Sequence, residues 1–251
     1  TTTAGIWNKT LDEYIQGNKR YERELLDIEN RLTDLGIAGK ISRLALFRNA
    51  EEMIRDEIDR GVKTVVVLGN DDTIRKVLDV ISESKIVLGL IPIGPKNELA
   101  RLLGIPNGVE ACDVLSARRI EQIDVGTING RKFITGIRVP DFKAELMCND
   151  GKYRVTPTSH SDLEIQNLAD VCNPCDGMLR ANIHTSIRRG WGPFARHEQT
   201  NSVLPFQFLA IRSDKPISLY ADGEEMQGTR FDIGIESMIL KVITGKSRVF
   251  I

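Results

Sequence analysis

Two short apolar runs constrain the fold of this chain more than any other feature of its sequence. Residues 64–68 and 86–93 are mainly aliphatic, without the polar alternation of a strand that has one face in water. Such a run is typical of a strand buried on both faces of a parallel sheet. Each run leads through a polar turn into a segment with helical periodicity, so this part of the chain predicts a layered α/β sheet.

The pattern of the sequence changes near residue 123. Before it, helical spacing of apolar residues predicts helices at residues 18–35, in a segment ending near Gly61, and at 73–81 and 97–103, with a further strand at 41–47. After it, short strand-like runs are separated by Asn-Gly and Asp-Gly turn signals, which are typical of antiparallel hairpins. We therefore expect an α/β domain with a mainly parallel sheet at 1–122 and a mostly antiparallel β domain at 123–251.

Charge and hydropathy limit the partners of the chain. Lys and Arg number 34 against 35 for Asp and Glu, so broad electrostatic attraction to nucleic acid is excluded. No apolar run approaches the ~18 residues that cross a bilayer, and the N-terminal residues lack the features of a signal peptide. We expect a cytoplasmic protein with at most peripheral membrane contact. A homodimer and a segment upstream of Thr1 are left open.

Two further motifs allow more than one interpretation. Cys172 and Cys175 form a lone C-x-x-C, which could be half a zinc site or a redox pair, but no second paired spacing accompanies it, and packing thiols are favoured. The basic and aromatic stretch at 188–197 could touch a membrane interface or form a solvated loop with two buried aromatic residues. We favour the loop.

Two polar loops follow the two buried strands. Ligands of open α/β sheets bind outside the carboxyl ends of the strands, where a helix N-terminus offers unpaired N–H groups that suit phosphate. Gly, Asn and Asp are also common in ordinary turns, so the pattern alone leaves both interpretations open. The residues concerned are Gly69, Asn70, Asp71, Asp72 and Thr73 in the first loop, and Gly94, Lys96 and Asn97 in the second.

These loops carry a resemblance to a known family. Residues 69–73 resemble the G-G-D-G-T loop of the diacylglycerol kinase catalytic-domain family, which NAD kinases share. Residues 91–106 resemble the family pattern I-P-x-G-T-G-N-D-x-A-R-x-L-G-I-P, for which NAD kinases have no equivalent. Residues 123–126, the turn at 129–130, residues 174–179 and the Asp222-Gly223-Glu224 sequence match later motifs of the family in the same order.

The resemblance implies an activity and a set of site residues. The family phosphorylates a lipid hydroxyl with ATP and Mg²⁺ in a cleft between an α/β nucleotide-binding domain and a β-sandwich substrate domain, which the resemblance implies at 1–122 and 123–251 of this chain. By resemblance, the backbone of the first loop holds the ATP phosphates, Thr73 and Asn97 line the nucleotide site, Asp222 is the general base, and Asp71 and Glu224 lie near the metal. A carboxylate suits the role of Asp222 because phosphoryl transfer needs an acceptor for the hydroxyl proton. The plainer interpretation of Asp222-Gly223 is a hairpin turn.

Three hypotheses follow from the resemblance. The first is an ATP-dependent phosphotransferase acting on a lipid, such as a diacylglycerol, or on another small-molecule hydroxyl. The second is a non-catalytic member of the family that binds nucleotide, lipid or a protein partner. An NAD-kinase-like activity comes third, because the second loop disfavours it.

The loops depart from the family pattern in charge. Asn70 and Asp72 replace two glycines, and Pro95 and Lys96 stand where the family has Thr and Gly. Two like charges ~4 Å apart at an effective dielectric of ~20 repel by about 4 kcal/mol, comparable to the binding free energy of a ~1 mM ligand. An unpaired Asp72 facing a triphosphate would therefore nearly abolish binding. We expect Lys96 to approach Asp72 and neutralise it.

Overall fold

The computed structural model describes residues 3–7, 19–43, 50–148, 153–157, 161–170, 172–189 and 196–250. Part of the strand predicted at 41–47, the turn predicted at 149–151 and the centre of the basic, aromatic stretch lie outside these residues. By their internal contacts the residues form two compact units, one comprising Thr1–Ile123 with Met238–Ile251 and the other Asp124–Ser237. The predicted combination of an α/β part with an antiparallel β part is confirmed in outline.

The first unit is built on a parallel sheet. Its strands β1 (Thr3–Trp7), β2 (Gly39–Arg43), β3 (Thr64–Gly69) and β4 (Val87–Pro92) are arranged in the order β4-β3-β1-β2. Every residue of β3 and β4 is buried, as their apolar runs predict. The helices of this unit are α1 (Lys19–Asp34), α2 (Ala50–Asp59), α3 (Asp71–Arg75), α4 (Leu78–Ser84), α5 (Glu98–Leu102) and α6 (Ala111–Ala117).

The helix predicted at 73–81 is two helices. α3 ends at Arg75 and α4 begins at Leu78, with a turn at residues 76–77 between them and Val77 as the N-cap of α4. Ile74, Val77 and Leu78 are all buried, so the apolar spacing continues across the break and cannot reveal it.

Among the described residues, no helix has the length and apolar character needed to cross a membrane.

The second unit consists of antiparallel ladders. Its strands are β5 (Ile120–Ile128), β6 (Arg131–Phe133), β7 (Gly136–Val139), β8 (Glu145–Cys148), β9 (Tyr153–Val155), β10 (Ser161–Gln166), β11 (Leu179–Arg189), β12 (Arg196–Phe206), β13 (Phe208–Ala221) and β14 (Glu224–Ile243). They are arranged in the order β12-β11-β10-β7-β13-β14, while β8 pairs with β13 and β9, and β5 pairs with β6. The two-residue turns Asn129-Gly130 and Asp222-Gly223 have positive φ at both positions, the backbone of type I′ hairpins.

Two sequence-based assignments are corrected here. The stretch at 188–197 is not a loop throughout, because β11 extends to Arg189 and its hairpin partner β12 begins at Arg196. The C-terminal residues do not stay in the second unit, because the end of β14 pairs in parallel with β4 through Lys241 and Val242. β14 is one 20-residue strand, and an uninterrupted strand contains no turn signal that would mark where the chain returns.

Candidate phosphate-binding and acid-base sites

The two polar loops of the first unit lie side by side. Their strands β3 and β4 are parallel neighbours, with Gly69 opposite Pro92 at the carboxyl ends. Across the gap, the backbone N–H of Asp71 donates to the carbonyl oxygen of Lys96 at 3.1 Å. The two loops are therefore in direct contact.

The side chain of Asp71 joins the loops a second time. Its Oδ2 accepts a hydrogen bond from the N–H of Glu98 at 2.8 Å, and its Oδ1 accepts one from the N–H of Leu99 at 3.2 Å. These are the first two amides of α5, where a carboxylate is favoured by the unpaired donors and by the helix dipole. Asp71 thus occupies the position at α5 that an anion would take.

Asn70 and Thr73 shape the first loop from within. Asn70 is the N-cap of α3, and its Oδ1 accepts from both the backbone N–H and the hydroxyl of Thr73, at 3.3 and 3.1 Å. The side chain of Thr73 is completely buried, and a Cβ at Gly69 would lie only 2.6 Å from its Oγ1. Thr73 was expected to line a nucleotide site. Its buried side chain instead packs against Gly69 and donates a hydrogen bond to Asn70.

Arg75 neutralises Asp72 in place of the expected Lys96. The carboxylate of Asp72 pairs with the guanidinium of Arg75 three positions later in α3. Residues with this spacing are neighbours on one helix face, so the pair forms without any contact between loops. Lys96 is exposed, has a positive φ of 65° and makes no ion pair within the part of the chain that the structure describes. It is therefore a cation available to a ligand.

The second loop has open space beside Gly94 and an unused hydrogen-bond acceptor on Asn97. Gly94 has a φ of +79°, and a Cβ at this position would meet no atom within 4 Å. The amide of Asn97 donates to the carbonyl oxygen of Gly94 at 2.7 Å, while its buried Oδ1 has no hydrogen-bond partner among the described residues. An acceptor of this kind suits a hydroxyl group or a water held by a polar ligand. These features fit a nucleotide beside Lys96 and Asn97.

The candidate metal ligands are both engaged. Asp71 caps α5, and Glu224 pairs with Arg131 at 3.5 Å. Within the described ranges, no three His, Cys, Asp or Glu side chains come together as a metal site. Mg²⁺ commonly binds through one or two carboxylates together with substrate phosphates, so a metal here would be held mainly by the nucleotide.

Asp222 lies at the end of β13, in the tight turn that leads to β14. Its carboxylate accepts hydrogen bonds from the N–H groups of Ile134, Thr135 and Gly136 at 2.7, 2.8 and 3.2 Å, and from the hydroxyl of Thr135 at 2.5 Å. The hairpin-turn interpretation is thus correct for its backbone. The carboxylate holds residues 134–136, a role that the D-G-E motif did not predict.

The cysteines have ordinary packing environments. None of the four forms a disulfide among the described residues, and Cys112, Cys148 and Cys172 are buried while Cys175 is half-buried. Burial raises the pKa of Cys112 to about 11, with a further contribution from Asp113, and burial also raises the pKa of Cys148 and of Cys172.

These thiols give a direct labelling prediction. The thiolate is the reactive form, and a raised pKa keeps the buried thiols protonated at pH 8. We expect iodoacetamide at pH 8 to modify Cys175 in the native protein well before Cys112, Cys148 and Cys172, whereas denaturant exposes all four. Peptide mass spectrometry measures this order. Equal rates for Cys172 and Cys175 would argue against the packing role and for an accessible thiol pair.

Comparison with known proteins finds relatives for the part of the chain that carries the two polar loops. The family model of the diacylglycerol kinase catalytic domain matches residues 15–128, which include both polar loops. The chain is 26% identical over 133 residues to a diacylglycerol kinase of Bacillus subtilis (strain 168), and 28% identical over 132 residues to one of Staphylococcus aureus (strain MRSA252). Each alignment covers 51% of this chain but only 42% and 40% of the relative, so the chain spans about two fifths of these proteins.

The similarity of fold extends further than the similarity of sequence. A solved structure of a diacylglycerol kinase from Bacillus anthracis str. Sterne superposes with a TM-score of 0.75, covering 98% of this chain and 97% of that one. The two sequences are 14% identical, so this likeness shows the fold alone.

Proposed function

We propose that this chain, a divergent member of the diacylglycerol kinase catalytic-domain family, transfers the terminal phosphate of ATP to a hydroxyl of a lipid or other small molecule. The observation that carries the proposal is the union of the two polar loops by Asp71, through one backbone and two side-chain hydrogen bonds. It forms one polar surface at the carboxyl ends of β3 and β4, where open α/β sheets bind ligands.

The charges of this surface support a phosphate ligand. Asp72 is paired with Arg75, and Glu98 with Arg101, so their carboxylates are locally compensated. Lys96 would then contact the phosphates as a point charge, and Asn97 would accept a hydrogen bond through its unused Oδ1. Mg²⁺ bound with the nucleotide would neutralise phosphate charge.

Asp222 would act on the acceptor. Its carboxylate is held in one orientation by residues 134–136, and a hydroxyl within about 2.6–3.2 Å could pass its proton to it. Glu224, the first residue of β14, follows two residues later in the chain and would supply negative charge nearby.

A second candidate function has its own support. Asp71 fills the anion position at α5, and the carboxylate of Asp222 already accepts four hydrogen bonds. A family member that binds nucleotide, lipid or a protein partner without catalysis would also show these contacts.

Calorimetric titration with ATP, with and without Mg²⁺, tests whether the chain binds nucleotide. We expect Mg²⁺-dependent binding, and no detectable heat with ATP, GTP or ADP at millimolar concentration would overturn nucleotide binding.

The role of Lys96 can be isolated with a matched control. Lys96 and Lys85 are both exposed lysines at positive φ, 65° and 55°, but Lys85 lies before β4 and Lys96 after it. Glycine relieves the left-handed backbone at either site, so each variant should gain about 0.5–1 kcal/mol of stability. Only Lys96→Gly should weaken Mg·ATP binding, by about tenfold, because a charge-assisted contact contributes roughly 1.5 kcal/mol. Equal affinities in the two variants would remove Lys96 from the site.

A further inference from the structure

A short segment of the second unit is held from two sides. Residues Ile134, Thr135 and Gly136, here called the Asp222 platform, lie at the passage from β6 to β7. Their three N–H groups all donate to the carboxylate of Asp222. The N–H of Asp222 returns a hydrogen bond to the carbonyl oxygen of Gly136 at 3.0 Å. The position of the carboxylate therefore depends on the position of the platform.

Asn167 holds the opposite side of the platform. Its side-chain amide donates to the carbonyl oxygen of Ile134 at 2.8 Å and to that of Asp124, in β5, at 2.9 Å. Its backbone N–H donates to the carbonyl oxygen of Thr135 at 3.0 Å. The residue follows directly after β10, so one side chain ties the platform to two strands.

Asn167 stabilises its surroundings mainly through the hydrogen bonds that its amide donates. The residue is 0% exposed, and its Oδ1 is buried without a hydrogen-bond partner among the described residues. A buried polar group in this state costs free energy, so the two donated hydrogen bonds must offset it. The platform packs directly against β10, because a Cβ at Gly136 would lie 2.3 Å from the carbonyl oxygen of Ile165.

We propose that Asn167 is a positioning residue for Asp222. It acts through the Asp222 platform and does not contact the reacting groups. Removing its amide leaves the carbonyl groups of Ile134 and Asp124 buried without this donor, and the platform then relaxes and carries the carboxylate with it. The inference rests on the proposed function, in which Asp222 accepts the proton of the acceptor hydroxyl. A displacement of about 1 Å in a catalytic geometry lowers turnover by roughly 10²-fold.

The test compares Asn167→Ala with Asn182→Ala. Asn182 is a buried asparagine of the same unit, 8% exposed, whose amide donates to the side chain of Gln166 at 2.8 Å. Within the described part of the chain, its side chain makes no hydrogen bond with residues 134–136. We expect Asn167→Ala to lower kcat by about 10²-fold with the KM for ATP unchanged, and Asn182→Ala to keep most of the activity. In the Asp222→Asn background, Asn167→Ala should add little, because the two residues act through one group.

A second measurement does not depend on activity. Amide hydrogen exchange of residues 134–136 should be faster in Asn167→Ala than in the wild type, and unchanged in Asn182→Ala. If the wild type transfers no phosphate, the proposed function fails, and exchange still decides whether Asn167 holds the platform. Unchanged exchange in Asn167→Ala, or an equal loss of kcat in both variants, would overturn the inference. Should Asn167→Ala not fold, Asn167→Ser, which keeps one donor, replaces it under the same criteria.

Discussion

Asp222→Asn is expected to lower turnover by roughly 10²–10⁴-fold and to reduce the free energy of unfolding by about 2–4 kcal/mol. The first effect follows from the loss of the base. The second follows from the Asp222 platform, because an asparagine has one acceptor oxygen and would turn its NH₂ group toward N–H donors. Asn tolerates the positive φ of 46° about as well as Asp, so the turn itself should survive.

Asp214→Asn is the matched control for this change. Asp214 is an exposed residue of the same strand, β13, and its side chain makes no hydrogen bond or ion pair in the described part of the chain. We expect its unfolding free energy to stay within about 0.5 kcal/mol of the wild type. Denaturant unfolding and steady-state kinetics measure both effects. Retained turnover in Asp222→Asn would remove the base assignment, and equal stability of the two variants would remove the capping role.

Asp71→Ala should destabilise the first unit by about 2–3 kcal/mol, because two hydrogen bonds to a charged acceptor are lost at once. The amides of Glu98 and Leu99 would lose their cap, while the backbone contact between Asp71 and Lys96 would remain. Calorimetric or denaturant unfolding measures the change.

The control for this variant is Asp79→Ala. Asp79 lies in the first turn of α4, where it interacts with the helix dipole, and no side-chain hydrogen bond of Asp79 occurs among the described residues. Its removal should cost only about 0.3–1 kcal/mol. Similar losses in the two variants would show that Asp71 contributes as a surface charge and not as the link between the loops.

The parts of the fold that were predicted correctly have local causes. The strands β3 and β4 follow from continuous apolar runs, because only a strand covered on both faces buries such a run completely. The hairpins at residues 129–130 and 222–223 follow from Asn-Gly and Asp-Gly, the pairs that accept positive φ at both positions.

The contacts that define the site join residues that are far apart in the sequence. Asp71 caps amides that lie 27 and 28 residues later in the chain, and no local pattern reports such a pairing. The hydrogen bonds of Asp222 reach back 86 to 88 residues to the Asp222 platform. By contrast, the Asp72–Arg75 pair was visible as an i,i+3 spacing, and the expectation of Lys96 overlooked this nearer cation.

Phosphate transfer itself tests the central claim most directly. The protein is incubated with ATP labelled at the terminal phosphate, Mg²⁺ and diacylglycerol in mixed detergent micelles, and label is then measured in the extracted lipid. We predict label in an acidic lipid product, at least 10²-fold less of it with Asp222→Asn, and little change with Asp214→Asn. Bound nucleotide without any transfer to diacylglycerol or to other lipid and small-molecule hydroxyls would contradict the phosphotransferase and favour the non-catalytic member.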